Sequence, residues 1–258
     1  MKQKILALLL AMCMLFSLCL TGCQGGEKAN DSDKSGGSSS SEEKDNKDDG
    51  NQASSGEGTE AEQVAVAIFN LILKNDASDA VKVFGYASEE EALADMGLEG
   101  GIYQMLADEM VAQFQSESIP VSDEVAHQFA DAFLSMFQKV DFSAKVKECD
   151  EKAGTAVVTC TISTYDSNFL NDALEQATEI VSEDEELMNS QDETELYNRL
   201  LLELINILKD ASPSGETADF DVDFEKTNME VNGKLKKIWV PVDSEEFGNL
   251  ISTTALGV

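Results

Sequence analysis

The chain has one histidine and three prolines in 258 residues, and its 18 Lys and Arg stand against 50 Asp and Glu. With His127 the only imidazole, any catalytic triad or histidine-based metal site has to be built around that one residue. No G-x-S-x-G, H-E-x-x-H, C-x-x-C or phosphate-cradling glycine loop occurs, so the common hydrolase, zinc, redox and nucleotide signatures are all missing. The scarcity of cations leaves a formal net charge of −32, which becomes −34 if Lys2 and Lys4 are removed with a leader. A polyanion of this size repels phosphate backbones and anionic lipid headgroups. Nucleic acid and direct adsorption to a bilayer are therefore not expected. Cationic ligands and divalent ions are the complementary partners, and solubility alone also accounts for the charge.

Long apolar runs are scarce as well. Ile5 to Leu20 is a 16-residue stretch broken only by the hydroxyl of Ser17, and it follows Lys2 and Lys4. A spanning helix needs about 20 apolar residues and basic flanks. This run is shorter and ends in Leu20-Thr21-Gly22-Cys23, the profile of a cleaved signal peptide over residues 1–22. The four residues Leu20, Thr21, Gly22 and Cys23 resemble the bacterial lipobox. That resemblance implies that the Cys23 thiolate takes up diacylglycerol and that a peptidase cuts after Gly22, with Leu20, Thr21 and Gly22 as its recognition residues. Two or three acyl chains, palmitate among them, exceed the single chain that binds membranes only reversibly. The expected location is the outer face of the cell membrane, with the bilayer as partner through acylated Cys23.

Residues 24–60 contain Ser38 to Ser41, Asp48-Asp49-Gly50 and repeated Gly, with no apolar side chain larger than alanine. Such a segment cannot bury a core, and as a flexible coil it reaches about 35 Å. Gly25 and Gly26 next to the lipid site, followed by this spacer, resemble the tethers of Gram-positive surface lipoproteins.

From residue 61 the periodicity becomes helical. Val64, Ile68, Leu71 and Ile72 mark one helix ended by Asn75-Asp76, and Val81 and Phe84 mark a shorter one. Tyr103, Leu106, Met110 and Phe114 line a third that stops before Pro120. Ser122 then caps a fourth, with Ala126, Phe129, Phe133 and Met136 inward. A hairpin follows, in which Phe142, Ala144 and Val146 alternate against Val158, Cys160 and Ile162. These sets share a face if the loop is odd. A three-residue loop Lys152-Ala153-Gly154, with Gly154 left-handed, pairs Val146 with Cys160 and Ala144 with Ile162. It also turns Cys149 to the opposite face, with Lys145 and Lys147, where it cannot form a disulfide with Cys160.

Two helices come next, one with Leu170, Leu174, Ala177 and Val181 inward and one with Leu196, Leu200, Leu204 and Leu208, around the acidic stretch 182–192. Phe220, Val222 and Phe224 alternate with Asp219, Asp221 and Asp223 on a strand that Asn232-Gly233 turns into a closing strand through Leu235 to Val240. A last short helix starts near Ser244. The expected fold is α+β: N-terminal helices under a curved antiparallel sheet of about four strands in two hairpins, with a helical pair between the hairpins. The single domain is expected over residues 61–252, with a tail at 253–258. Asn232-Gly233-Lys234 and Lys237-Ile238-Trp239-Val240 resemble the closing hairpin of lipoproteins with cystatin-like or nuclear-transport-factor-like cones, which implies a sheet cone around a helix.

Few residues suggest chemistry. His127 flanks the core stripe of its helix within one turn of Asp123 and Asp131 and is expected at the surface. Asp219, Asp221 and Asp223, with Glu230 in twelfth place, share the spacing of a calcium loop, but Phe224 stands where that loop needs glycine, so a solvated carboxylate row on a strand is the better reading. Lys226, Lys234, Lys236 and Lys237 are expected to guard exposed strands. No catalytic residue, metal ligand, cofactor or disulfide is identified. The expected function is a monomeric, non-catalytic module for a protein or small-molecule ligand, with Trp239 and nearby aromatics as lining. A carboxylate-dependent wall hydrolase is the alternative, and its mark is two carboxyls about 5–9.5 Å apart with one raised pKa.

Overall fold

The computed structural model describes residues 58–98, 101–189 and 192–257. The leader, the lipobox with Leu20, Thr21, Gly22 and Cys23, and nearly all of the tether lie outside the described residues. Among the described residues five helices come before the strands: α1 Gly58–Lys74, α2 Ser78–Phe84, α3 Glu89–Asp95, α4 Ile102–Ser116 and α5 Asp123–Phe137. Hydrophobic periodicity marks four of them. The added one, α3, carries no long apolar stripe and depends on its cap. Ser88 Oγ accepts from Glu91 N at 3.2 Å, and the Glu91 carboxylate accepts from Ala87 N at 2.6 Å. α1 begins at Gly58, so the last three residues assigned to the tether are helical.

The strands are β1 Phe142–Asp150, β2 Thr155–Ser163, β3 Thr217–Val231 and β4 Lys234–Pro241. They form one antiparallel sheet in the order β1-β2-β3-β4. Between β2 and β3 the chain leaves the sheet through α6 Phe169–Ser182, α7 Glu185–Asn189 and α8 Glu193–Asp210, and it closes with α9 Ser244–Leu256. α6 pairs with α8, and α8 packs on α5, so this excursion extends the helical layer. Thr164 N donates to Glu216 O at 3.0 Å and Ser214 N to Thr164 O at 2.8 Å, which brings β3 back alongside β2.

α1 lies against the sheet, touching β1, β2 and β4, with Phe69 stacked on Phe142 at 4.3 Å between ring centroids. The Glu62 carboxylate accepts from Val146 N at 2.7 Å, occupying a donor on the edge strand. Behind α1, Phe114 of α4 meets Phe129 of α5, and Phe129, Phe133 and Phe137 run along α5 with successive centroids 6.1 and 5.4 Å apart. Tyr103 OH donates to the carbonyls of Leu73 and Leu134, linking the ends of α1 and α5 through α4. On the other side Phe247 of α9 packs against Phe220 at a tilt and against Phe224 edge-on, both on β3. α9 ends at Gly257 with φ +67, where a Cβ would lie 2.9 Å from Tyr165 O, so only glycine fits. The expected tail at 253–258 is therefore in large part the last turn of α9, and Ala255 and Leu256 are buried.

The first hairpin differs from its expected register. Its loop has four residues, Glu151 to Gly154, because Asp150 pairs with Thr155. Asp150 Oδ1 accepts from Lys152 N at 2.9 Å and Ala153 N at 3.0 Å, and Gly154 takes φ +72 as expected. An even loop alone would set the apolar residues of β1 against the outward ones of β2. A bulge at Lys147 corrects this, and beyond it Val146 pairs with Val158, Ala144 with Cys160 and Phe142 with Ile162. The core faces meet as expected, through a different loop and an extra residue. On the loop side of the bulge Cys149 pairs with Ala156, on the face that β2 turns to the core. The expectation that Cys149 and Cys160 lie on opposite faces is thus overturned. They are held apart by length: Ala156 and Cys160 are four residues apart on β2, about 13 Å. Both thiols are free.

The second hairpin follows its sequence. Asn232 and Gly233 have φ +54 and +68, the two left-handed residues of a tight hairpin turn, and Val231 pairs with Lys234. Burial changes phase along this long ribbon. Val222, Phe224, Trp239 and Pro241 are inward near the sheet centre, whereas near the turn Val231 is buried and Glu230 and Leu235 are exposed. Strand twist accumulates over the fifteen residues of β3 and turns the other face of the ribbon to the helices. There Lys236 Nζ donates to Phe84 O at 2.9 Å and Gly85 O at 3.2 Å.

Candidate functional site

The core face of the sheet is sealed by α1 and α9, while the other face carries no covering element among the described residues. On that face the strands form stripes. β1 contributes Ser143, Lys145 and Lys147; β2 Val157, Thr159 and Thr161; β3 Asp219, Asp221, Asp223 and Glu225; β4 Val240, followed by Val242. Alternation places every second residue here, about 6.8 Å apart along a strand.

Register converts the stripes into contacts. Thr159 lies opposite Asp221 and donates to its carboxylate at 2.6 Å, and Thr161, opposite Asp219, does the same at 2.7 Å. Lys147 reaches across β2 to the second oxygen of Asp221 at 2.6 Å. The hydrogen bond from Lys147, then that from Thr159, holds the Asp221 carboxyl below its ordinary value, and Asp221 in turn raises the Lys147 ammonium. Nearer the β1–β2 loop the face changes character. Asp223 stands between Val157 and Val242, and Glu225 is opposite Val240. Val242 is 51% exposed. Neither Asp223 nor Glu225 has an ion pair or side-chain hydrogen bond among the described residues.

The aspartate row is therefore a strand and not a calcium loop, and among the described residues no group of three or more His, Cys, Asp and Glu could hold a metal ion. His127 is exposed on α5. Its Nδ1 lies 2.7 Å from Asp123 O, and its Nε2 is 3.9 Å from Asp108 on α4, a neighbour its own helix does not reveal. Trp239 is a core residue. It is 1% exposed, with Lys226 Nζ over its ring at 4.9 Å and its Nε1 unpartnered. Lys226 is held by Glu151 at 3.0 Å and Glu60 at 3.9 Å, so it and Lys236 are internal ties, and only Lys234 and Lys237 remain exposed on the ribbon.

One open cleft of about 700 Å³ lies between α7 and α8, lined by Asp184, Glu186, Asp192, Glu195 and Arg199 among others. Two of its carboxylates are engaged at helix starts, Asp184 with Leu187 N and Asp192 with Thr194 N and Glu195 N. Of the carboxyls whose pKa is displaced, Asp79, Glu151 and Asp221, all are lowered, the direction opposite to that of a general acid. Local desolvation and the adjacent Glu151 carboxylate push the Cys149 thiol up to about 11, and burial pushes that of Cys160 to about 12, so neither is poised as a nucleophile.

No family model matches the chain, and no curated protein is similar to it. Among solved structures it is similar to ycdA, a candidate lipoprotein of Bacillus subtilis subsp. subtilis str. 168, with 15% identity and a TM-score of 0.49 over 77% of this chain. The match spans 57% of that chain. At this level of similarity nothing about function is carried over. Among the described residues no helix is long and apolar enough to cross a membrane.

Proposed function

We propose that the protein is a lipoprotein anchored through acylated Cys23 on the outer face of a Gram-positive cell membrane, and that its domain is a non-catalytic, monomeric binding module. The module presents the open face of its sheet to a partner. The anchor rests on Leu20-Thr21-Gly22-Cys23 after a 16-residue apolar run. The binding role rests on one observation: the sheet packs its core face on α1 and α9, while its opposite face carries no covering element among the described residues, with ordered polar contacts in one half and, in the other, acids without a side-chain partner among the described residues beside exposed Val242. A helix laid against a four-stranded antiparallel sheet also accords with the cone that the closing hairpin resembles. Two measurements test the reading. Cys23→Ala is expected to leave an unprocessed precursor or release the protein from membranes, and a processed variant retained as well as the wild type would overturn the anchor. A photoreactive residue in place of Thr161 or Val242 is expected to crosslink a discrete neighbour in intact cells, whereas crosslinking no greater than from the exposed face of α6 would overturn the binding face.

A further inference from the structure

The two halves of the open face differ in how far neighbouring side chains engage their carboxylates. In the half away from the β1–β2 loop, Asp221 is matched by Lys147 and Thr159, and Asp219 by Thr161. In the half near the loop, Asp223 and Glu225 face outward without a side-chain partner among the described residues and alternate with Val157, Val240 and Val242 across the strands. A cluster of exposed Val242 with half-buried Val157 and Val240, framed by carboxylates without a partner among the described residues, matches one kind of side chain closely. Lysine and arginine have apolar stems that cover hydrocarbon and cationic heads that reach past it. A divalent cation fits less well: the two acids are about 6.8 Å apart along the strand, and no third ligand accompanies them. An anionic polymer is repelled, and an open sheet face does not enclose a small apolar ligand.

From this, and on the basis of the binding role proposed above, we infer that this half of the face docks a basic segment of a partner protein. Stems of its lysines or arginines lie over Val157, Val240 and Val242, and the heads pair with Asp223 and Glu225. An extended segment with cations at alternate positions repeats at about the spacing of the acids along β3. The negative charge of the whole chain, −32, would steer such a partner in from a distance.

The test uses the acylated full chain in lipid nanodiscs and three heptapeptides, Lys and Val alternating, Lys and Ser alternating, and Glu and Val alternating, followed by fluorescence anisotropy. The Lys-Val peptide is expected to bind, the Lys-Ser peptide more weakly, and the Glu-Val peptide not at all. Asp223→Asn with Glu225→Gln is expected to weaken Lys-Val binding roughly tenfold, the size of two lost surface pairs. Val240→Thr with Val242→Ser should remove the advantage of Lys-Val over Lys-Ser. Glu175→Gln with Glu179→Gln, the same charge change on the exposed face of α6, should leave binding unaltered. Equal losses in both acid pairs would reduce the effect to overall charge and overturn the inference. So would Lys-Val binding that does not respond to the Asp223 and Glu225 changes. If a neighbour crosslinks from position 242 in cells while no basic peptide binds, the basic-partner inference falls and the binding module stands.

Discussion

The two faces of β2 and β3 come from the same residues in alternation, yet they obey different physics. On the inner face Ala156, Val158, Cys160 and Ile162 are buried together with Val222 and Phe224, and substitution is felt through lost contacts and cavity formation. On the outer face Thr159, Thr161 and the aspartates hold one another through short polar contacts in water, where each pair is worth little to stability and more to the arrangement of the surface. Neighbouring positions on one strand therefore serve packing and presentation separately.

Phe224→Ala removes a ring 1% exposed that meets Phe247 edge-on at 6.0 Å, and a loss of about 3–5 kcal/mol in chemical denaturation is expected. A loss under about 1 kcal/mol would mean that α9 does not seal the sheet. Two adjacent residues sharpen the contrast. Cys160→Ser places a hydroxyl in a fully buried site and should cost about 1–3 kcal/mol. Thr159→Val, one residue on, should leave the denaturation midpoint nearly unchanged while freeing one side of Asp221. A reversed order of these two effects would invert the assignment of the faces.

The thiols give a chemical version of the same contrast. The Cys149 thiol, raised to about 11, and the Cys160 thiol, raised to about 12, should both react slowly with a maleimide-type reagent at neutral pH. Exposed Cys149 should accelerate as pH approaches about 11, and Cys160 should react only on unfolding. Titration of the denatured, non-reduced domain lacking Cys23 should find two thiols. A mass lower by two hydrogens would contradict the separation along β2.

The smallest effect is at Asp221. Its folded pKa lies below the ordinary 3.8, so the stabilising contact with Lys147 is fully present above 3.8 and is lost as pH falls through the lower folded value. Carboxyl chemical shifts should place its midpoint below 3.8 in the wild type and nearer to 3.8 in Lys147→Ala. An unchanged midpoint in that variant would show that Lys147 does not hold the carboxylate.

The sequence by itself determined the helical stripes, because burial of one face leaves a 3.6-residue trace, and it determined the second hairpin, because Asn232-Gly233 supplies the two left-handed residues that a two-residue turn demands. It also placed Asp219, Asp221 and Asp223 outward, since alternation with Phe220, Val222 and Phe224 admits no other side. It did not reveal α3, whose start depends on a local Ser88–Glu91 cap, or the first loop. An even loop with a bulge and an odd loop without one put the same apolar residues on the core face, so hydrophobic pattern alone cannot separate them, and only the paired backbone decides. The candidate face was legible as a row of acids and no further. That Lys147 crosses β2 to Asp221 while Asp223 and Glu225 stay unpaired beside Val157, Val240 and Val242 depends on four strands lying side by side. Trp239 marks the same limit: its residue type suggested a ligand surface, and packing against Lys226 made it core, because burial is set by what the rest of the chain brings to a side chain.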